Sequence, residues 1–215
     1  MGGARADDVD VETICFELDG TLCTRIRPSA DDLETDGSAG ALRRRDAAEP
    51  TIEPKPRLKP ALETEADRLV ADETDAIRDR WTVDSVPGAE AVLETLAEEY
   101  RLGVVTNGAP ELQRAKLEAA GLEDYVETVV CGGYETPAKP APEPFDVALE
   151  ELDSSPERAV HVGNSLSSDV AGARAAGIQP VWIPRTGTEI ASDQFDPTPE
   201  YTLESLGELT SPPWR

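Results

Sequence analysis

The sequence predicts an α/β protein built on a Rossmann-like parallel sheet with helices on both faces. Short runs rich in valine and isoleucine alternate with segments whose apolar residues are spaced by three and four. This alternation of strands and helices is typical of parallel sheets. Glycine-containing polar sequences follow several of the predicted strands, at the sheet edge where such folds bind ligands.

The predicted elements follow one another in a regular order. Five strands are expected over residues 11–18, 102–106, 127–131, 159–163 and 180–184. Four helices lie between or after them, and glycines at 121 and 177 end two of these. The helices carry Val92, Leu93, Leu96 and Tyr100; then Leu112, Lys116 and Leu117; then Phe145, Leu149 and Leu152; and finally residues 170–176. Lys116 is expected on the surface of its helix, whereas Lys139 is expected to face the strand ends.

Residues 25–83 interrupt this rhythm and predict an inserted cap. Residues 25–60 have no clear period and several prolines, which favours a flexible segment, whereas 61–81 have a helical pattern. The α/β core is expected over 1–24 and 84–207, with 208–215 as a tail. Residues 25–60 hold 8 basic and 7 acidic residues, unlike the acidic remainder. They are interpreted either as an arm that steers anionic substrates or as a passive loop.

The chain is strongly acidic, with a formal net charge of -24 over 215 residues. Such a surface argues against a nucleic-acid partner. Acid excess combined with only four lysines is typical of a protein kept soluble in high salt, so we expect a cytoplasmic protein of a halophile. The start of the chain has no apolar signal segment, and no run approaches the ~20 apolar residues of a membrane span.

Three cysteines and one histidine are interpreted as packing residues. Cys15, Cys23 and Cys131 form no CxxC pair, which favours buried thiols in a reducing compartment. His161 lies inside a predicted strand, where a core role is more common than a catalytic one.

Four polar clusters fall at the ends of four predicted strands, and together they predict one site. They are "ELDGT" at 17–21, "TNG" at 106–108, Lys139 in "AKPAPEPF", and "GNSLSSD" at 163–169. Because the carboxyl ends of parallel strands share one edge of the sheet, these clusters are expected to meet there.

This order of clusters resembles the haloacid dehalogenase superfamily of phosphohydrolases. The family motifs are Asp-x-Asp-Gly-Thr, a strand ending in Thr or Ser, a Lys that is often in Lys-Pro-x-Pro-x-x-Phe, and Gly-Asp-x-x-x-x-Asp. Lys139, Pro140, Pro142 and Phe145 match the third motif in full. The resemblance covers residues 11–24 and 84–207.

The resemblance implies phosphomonoester hydrolysis of a small phosphorylated molecule with Mg²⁺ as cofactor. In such chemistry a carboxylate attacks phosphorus, a second acid protonates the leaving oxygen, and backbone N–H groups of the glycine turn hold the phosphoryl oxygens. The implied catalytic residues are Glu17, Asp19, Thr106 and Lys139. The implied substrate-binding residues are Gly20, Thr21, Thr106, Asn107, Gly108 and Lys139, and the implied metal ligands are Glu17, Asp19, Asn164 and Asp169.

Two positions depart from the family pattern and leave alternatives open. Glu17 stands where the family has its attacking Asp, and Asn164 stands where it usually has a metal-binding Asp. The alternatives are a non-catalytic protein that binds a phosphorylated ligand or a protein, a dehalogenase-type reaction at carbon, and attack by Asp19 with Thr21 as its partner. Asp169 could also cap the following helix.

Overall fold

A computed structural model describes residues 10–26, 82–134, 136–185 and 197–215 of the chain. The described part contains eight strands and four α-helices. The strands are β1 Thr13–Phe16, β2 Cys23–Ile26, β3 Thr82–Ser85, β4 Arg101–Asn107, β5 Thr128–Gly132, β6 Ala159–Gly163, β7 Gln179–Trp182 and β8 Tyr201–Thr202. The helices are α1 Ala89–Ala97, α2 Pro110–Ala119, α3 Glu143–Glu151 and α4 Ala171–Ala175.

Six strands form one parallel sheet, which confirms the predicted fold class. The strand order is β5-β4-β1-β6-β7-β8, and every neighbouring pair is parallel. β1 lies between β4 and β6, with Phe16 opposite Val104 on one side and Val162 on the other. Residues that follow β1 therefore lie near the middle of the sheet's carboxyl edge.

Both faces of the sheet are covered. Successive side chains of β1 point to opposite faces and therefore pack into two different clusters. Ile14 and Phe16 belong to one core cluster, which also contains buried residues of α1 and α2. Cys15 belongs to the second cluster, which includes Phe145 of α3 and Ala173 of α4. Helices on both faces explain why β1 has four buried residues in succession.

The ends of the predicted insertion are joined by a small antiparallel ribbon. β2 pairs with β3, so that Thr24 lies opposite Asp84. The predicted flexible segment and the predicted 61–81 helix otherwise lie outside the described residues, and the division into core and cap stays a prediction.

The last residues of the chain pack against the α/β core. A short 3₁₀ helix, Leu206–Thr210, buries Leu209 completely against the cluster that contains α1. Trp214 lies edge-on to Tyr100, with ring centroids 6.3 Å apart. Residues 208–215, expected as a tail, thus continue the packing of the domain.

The cysteines occupy the core, as the sequence predicts. Cys15, Cys23 and Cys131 are all buried, and burial raises the pKa of the Cys15 thiol to about 12.

Within the described ranges, none of the helices has the length and apolar character needed to cross a membrane.

Candidate active site

The predicted clusters meet at the carboxyl edge of the sheet. Glu17 follows β1, Thr106 and Asn107 end β4, and Asn164 follows β6. Glu17, Thr106 and Asn107 are connected by hydrogen bonds through Lys139, which lies just before α3, and Asn164 bonds to Asp19 and Thr21 of the first cluster. The parallel arrangement therefore brings residues from distant parts of the sequence into one site.

Glu17 presents a carboxylate that is fixed by neighbours on both of its oxygens. Oε1 accepts hydrogen bonds from the Thr106 hydroxyl at 2.8 Å and from the Asp19 backbone N–H at 3.2 Å. Oε2 accepts from the Lys139 ammonium group. The Glu17 side chain is 11% exposed, so it is held mostly inside the protein but still reaches the surface of the cleft.

Lys139 is the central cation of the site. Its Nζ donates to Glu17, to the Val105 carbonyl at 2.6 Å and to Asp169 Oδ1 at 2.8 Å. These contacts use all three ammonium hydrogens. Asn107 holds the backbone of this residue, because its side chain accepts from the Lys139 N–H at 2.8 Å and donates to the Lys139 carbonyl at 3.1 Å. Lys139 therefore balances the charges of two carboxylates, and its position is fixed by hydrogen bonds to Val105 and Asn107 of β4.

Asp169 is a buried anchor for the loop after β6. Its Oδ2 accepts from the backbone N–H groups of Asn164 at 3.0 Å and Ser165 at 2.9 Å. Burial alone raises the pKa of the Asp169 carboxyl, but neighbouring His161 and Lys139 outweigh this and hold the pKa well below its ordinary range. The cap of the following turn is Ser165, whose side chain accepts from the Ser168 N–H, and not Asp169.

Gly163 is required by the close approach of Asp169. A Cβ at Gly163 would lie 2.5 Å from side-chain atoms of Asp169, closer than non-bonded atoms approach. The glycine of the fourth cluster thus makes room for the carboxylate that holds the loop.

His161 packs behind the site. Its ring meets Phe145 edge-on, with centroids 4.9 Å apart. Nε2 lies 3.7 Å from Asp169 Oδ1, beyond hydrogen-bond distance, and within the described structure neither ring nitrogen has a hydrogen-bond partner. Burial lowers the pKa of the imidazole, so the ring is neutral at pH 7.

Asn164 binds the turn that carries the first cluster. Its Nδ2 donates to the Asp19 carbonyl at 2.8 Å and to the Thr21 hydroxyl at 3.2 Å. The turn itself uses the backbone N–H groups of Gly20 and Thr21, which donate to the carbonyls of Cys23 and Leu18. Those two N–H groups are thus bonded inside the turn rather than directed at the cleft.

Lys116 corrects a sequence-based expectation. A position on the helix surface is expected for this lysine, but Lys116 is only 4% exposed and its Nζ lies 2.8 and 2.6 Å from the two carboxylate oxygens of Asp19. The side chain reaches from α2 to the first cluster, where a carboxylate compensates the cost of burying the charge. One feature of the sequence indicates this burial: Lys116 lies among the apolar positions of the predicted helix, next to Leu117 and four residues after Leu112.

Gln113 is a site residue that the sequence motifs do not identify. It lies one turn before Lys116 on α2 and is 1% exposed. Its Nε2 is 2.7 Å from the Asn107 carbonyl and 3.2 Å from both Asp19 Oδ2 and the Thr106 hydroxyl. Gly108 permits this approach, since a Cβ there would lie 2.7 Å from Gln113 Nε2.

Arg185 adds a further cation beside the first cluster. It follows β7 and is exposed, and its Nε would lie 3.6 Å from a Cβ built on Gly20. In the described site, three cationic groups therefore lie beside the turn at 17–21: the buried Lys139 and Lys116, and the exposed Arg185.

The oxygen groups of the site fit a hard divalent cation in kind but supply little charge. The expected ligands, Glu17, Asp19, Asn164 and Asp169, supply carboxylate and amide oxygens, and Mg²⁺ prefers such oxygen ligands. In the described residues, no group of three or more His, Cys, Asp or Glu side chains is arranged to hold a metal. The Asp19 carboxylate is instead turned toward Lys116.

Comparison with protein families identifies the family of the chain. A family model of haloacid dehalogenase-like hydrolases matches residues 11–177. This range includes all four polar clusters, and the chain belongs to the haloacid dehalogenase-like hydrolase family.

Several curated relatives of the chain are phosphatases. Ribulose-1,5-bisphosphate 5-phosphatase of Halopiger xanaduensis is 36% identical over 131 residues, which are 58% of this chain and 55% of the relative. Human N-acylneuraminate-9-phosphatase is 37% identical over 121 residues, or 56% of this chain and 48% of the relative. Phosphoserine phosphatase of Thermus thermophilus is 40% identical over 109 residues, or 50% and 44%. The chain thus spans about half the length of the curated relatives it matches.

Solved structures share the fold over most of the chain. A HAD phosphatase from Thermococcus onnurineus has a TM-score of 0.62 and 26% identity, with 93% of this chain and 96% of that chain covered. CbbY of Rhodobacter sphaeroides, solved in complex with phosphate, has a TM-score of 0.62 and 21% identity, with coverage of 93% and 96%.

Proposed function

We propose that the protein hydrolyses phosphomonoesters of small molecules, with Glu17 as the attacking carboxylate. The observation that carries this proposal is the arrangement around Glu17, which receives hydrogen bonds from Thr106 and Lys139 and lies two residues from a second acid, Asp19. The phosphatase relatives support the reaction class. Their different substrates leave only the class of small phosphorylated molecules in common.

The chain's own residues account for both halves of the reaction. Glu17 attacks phosphorus and forms an acyl phosphate, while Asp19 gives a proton to the leaving oxygen. Asp19 then takes a proton from the water that releases phosphate. Lys139 stabilises the negative charge at the phosphoryl group, and the Thr21 and Thr106 hydroxyls position the group and the nucleophile.

Mg²⁺ belongs to this proposal as the cofactor. Glu17, the main-chain oxygen of Asp19, Asn164 and Asp169 would hold it, and the bound cation would neutralise charge on the phosphate and the carboxylates. Asn164 lowers the charge of this donor set by one relative to an aspartate. We therefore propose weak binding of the metal.

The glutamate at position 17 is proposed to limit the rate. Its additional methylene moves the attacking oxygen by about one bond length, and a displacement of ~1 Å can cost on the order of a hundredfold in rate. The test compares wild type with Glu17→Asp and Glu17→Gln on p-nitrophenyl phosphate, with Mg²⁺ in molar KCl. We expect measurable turnover by the wild type and a rate on the order of a hundredfold higher for Glu17→Asp. Glu17→Gln should show no turnover, because an amide cannot attack phosphorus as the carboxylate does.

Two results would count against parts of this proposal. Equal rates for wild type and Glu17→Asp would refute the account of the methylene. Activity that appears only in Glu17→Asp would instead favour a second function, binding of a phosphorylated ligand or protein without turnover. The Asn164 amide in place of a carboxylate is the observation that favours this second function.

The compartment proposed for this activity is a salt-rich cytoplasm. The net charge of -24 supports it, because screening by salt reduces repulsion among the carboxylates. The buried cysteines fit a reducing environment.

A further inference from the structure

Lys116 contacts Asp19 from inside the protein. The Lys116 side chain is 4% exposed and that of Asp19 is 38% exposed, so the lysine occupies the inner side of the carboxylate and leaves its outer side open to the cleft. Both carboxylate oxygens receive hydrogen bonds from the ammonium group. Oδ1 keeps a second lone pair for another partner, whereas Oδ2 also accepts a hydrogen bond from Gln113.

α2 also links Asp19 to the proposed nucleophile. Gln113, on the same buried side of the helix, donates to Asp19 Oδ2 and to the Thr106 hydroxyl. That hydroxyl in turn donates to Glu17 Oε1. The orientations of the two acids are therefore set relative to each other by one helix rather than by separate loops.

From these contacts we infer that Lys116 is the positioning residue that aims the Asp19 carboxyl at the leaving oxygen of the substrate. The inference rests on the proposed function. In the first half-reaction the Glu17 oxygen forms a bond to phosphorus, the bond from phosphorus to the leaving oxygen breaks, and the proton of Asp19 moves to that oxygen. In the second half, water attacks phosphorus, the Glu17–phosphorus bond breaks, and a water proton returns to Asp19.

The leaving group makes this role measurable. An alkoxide is a poor leaving group and needs the proton of Asp19, whereas p-nitrophenolate leaves with little help. Loss of Lys116 lets the carboxyl rotate away from the leaving oxygen. Turnover of an alkyl phosphate should then fall much more than turnover of p-nitrophenyl phosphate.

The experiment measures kcat and KM of Lys116→Met, Lys116→Arg and Arg114→Met on glycerol phosphate and p-nitrophenyl phosphate. Arg114 is an exposed cation of the same helix, and its recorded hydrogen bond is to the Val129 carbonyl. We expect Lys116→Met to lose about tenfold to a hundredfold in kcat on glycerol phosphate, less than threefold on p-nitrophenyl phosphate, and little in KM. Lys116→Arg should recover part of the loss, and Arg114→Met should match wild type.

Two patterns would overturn the inference. Equal losses of kcat on both esters would mean that Lys116 only supports the fold, and a raised KM on both with kcat retained would mean that it binds the phosphoryl group. Circular dichroism in molar KCl identifies a Lys116→Met protein that has not folded, and in that case Lys116→Gln takes its place.

A second readout separates this inference from the proposed function. The chain has only four lysines, so NMR of protein labelled at the lysine ε-carbon gives few signals, and loss of one signal in a Lys116 variant assigns it. Asp19→Asn should shift the Lys116 signal more than that of Lys139, whose recorded contacts are with Glu17, Val105 and Asp169 and not with Asp19. An unmoved Lys116 signal in Asp19→Asn would overturn the inference. If the signal shifts but the wild type hydrolyses neither ester, the contact is supported and the proposed function is overturned.

Discussion

Asn164 donates its side-chain N–H to the main-chain oxygen of Asp19 at 2.8 Å. The loop after β6 is thereby bonded to the turn after β1 by a neutral amide at a point where the family usually has a carboxylate. The Asp19 oxygen is one of the metal donors proposed above, so we propose that this hydrogen bond weakens the binding of Mg²⁺ there.

We expect Asn164→Asp to bind Mg²⁺ at least tenfold more tightly than wild type. The substitution adds a negative charge to the donor set and removes the N–H that occupies the Asp19 oxygen. Isothermal titration calorimetry in molar KCl measures this without relying on activity. Ser167→Asp, which adds the same charge at an exposed position of the same loop, is the matched control. Equal affinities for the two variants would show that only the overall charge matters.

Lys139→Met should lower the free energy of unfolding by about 3 kcal/mol, because it leaves Glu17 and Asp169 buried without their shared cation. Adding Glu17→Gln should return part of this loss, since one unbalanced charge is then removed. Urea unfolding at fixed KCl measures both variants. A double variant that is as unstable as the sum of the two single changes would contradict a coupled pair.

Lys139→Met should also weaken vanadate binding by tenfold or more, because the ammonium is the buried cation that stabilises a phosphoryl group in the proposed mechanism. Arg114→Met is the appropriate comparison. Lys116, which sequence alone suggests as a surface control, lies in the site. Competition of vanadate with substrate, or calorimetry, gives the affinity. An equal effect of the Arg114 and Lys139 changes would remove Lys139 from the binding site.

The sequence predicts the sheet and the site edge because both depend on local patterns. The strand at 159–163 is predicted with the bounds that the structure has, and the polar clusters follow the strands that bring them together. The contact of Lys116 with Asp19 joins residues 97 positions apart, and no local pattern encodes such a pair. A lysine on a helix is ordinarily solvated, which is why the sequence predicts a surface position for Lys116.

The elements that sequence patterns miss are short or paired over long distances. β8 has two residues, Tyr201 and Thr202, too few to show an alternation. β2 and β3 become strands by pairing with each other from the two ends of the predicted insertion. Their four-residue sequences do not distinguish a strand from a loop.

Protein stability should fall as the pH is lowered from about 6.5, because His161 is buried as a neutral ring. Burial holds the pKa of His161 in the folded protein below the ordinary value of 6.5, which applies to the unfolded chain. At a pH between the folded and the unfolded pKa, the unfolded chain therefore binds a proton that the folded protein does not. The free energy of unfolding then decreases by at most about 1.4 kcal/mol per pH unit. The corresponding effect of Asp169 lies below pH 3.8, the ordinary value of its carboxyl, and does not overlap.

His161→Leu should remove this slope, because His161 is the only histidine of the chain. Urea unfolding at pH 7.0, 6.0 and 5.5, in metal-free buffer at fixed KCl, gives the slope for both proteins. The comparison uses the change with pH and not the absolute stability, since leucine alters the contact with Phe145. A slope that persists in the variant would assign the pH dependence to carboxylates elsewhere.

Gly163→Ala should destabilise the protein and displace Asp169. The new Cβ would lie 2.5 Å from the Asp169 side chain, and the carboxylate cannot retreat without losing its bonds to the N–H groups of Asn164 and Ser165. Overpacking of this kind costs about 1–3 kcal/mol. Gly207→Ala is the control, because a Cβ there meets its nearest neighbour, the Ser205 hydroxyl, at an ordinary 3.7 Å. We expect urea unfolding to show the loss for Gly163→Ala only, together with weaker Mg²⁺ binding by calorimetry. Equal stability of the two variants would mean that the loop after β6 moves aside freely, and that Asp169 does not hold it.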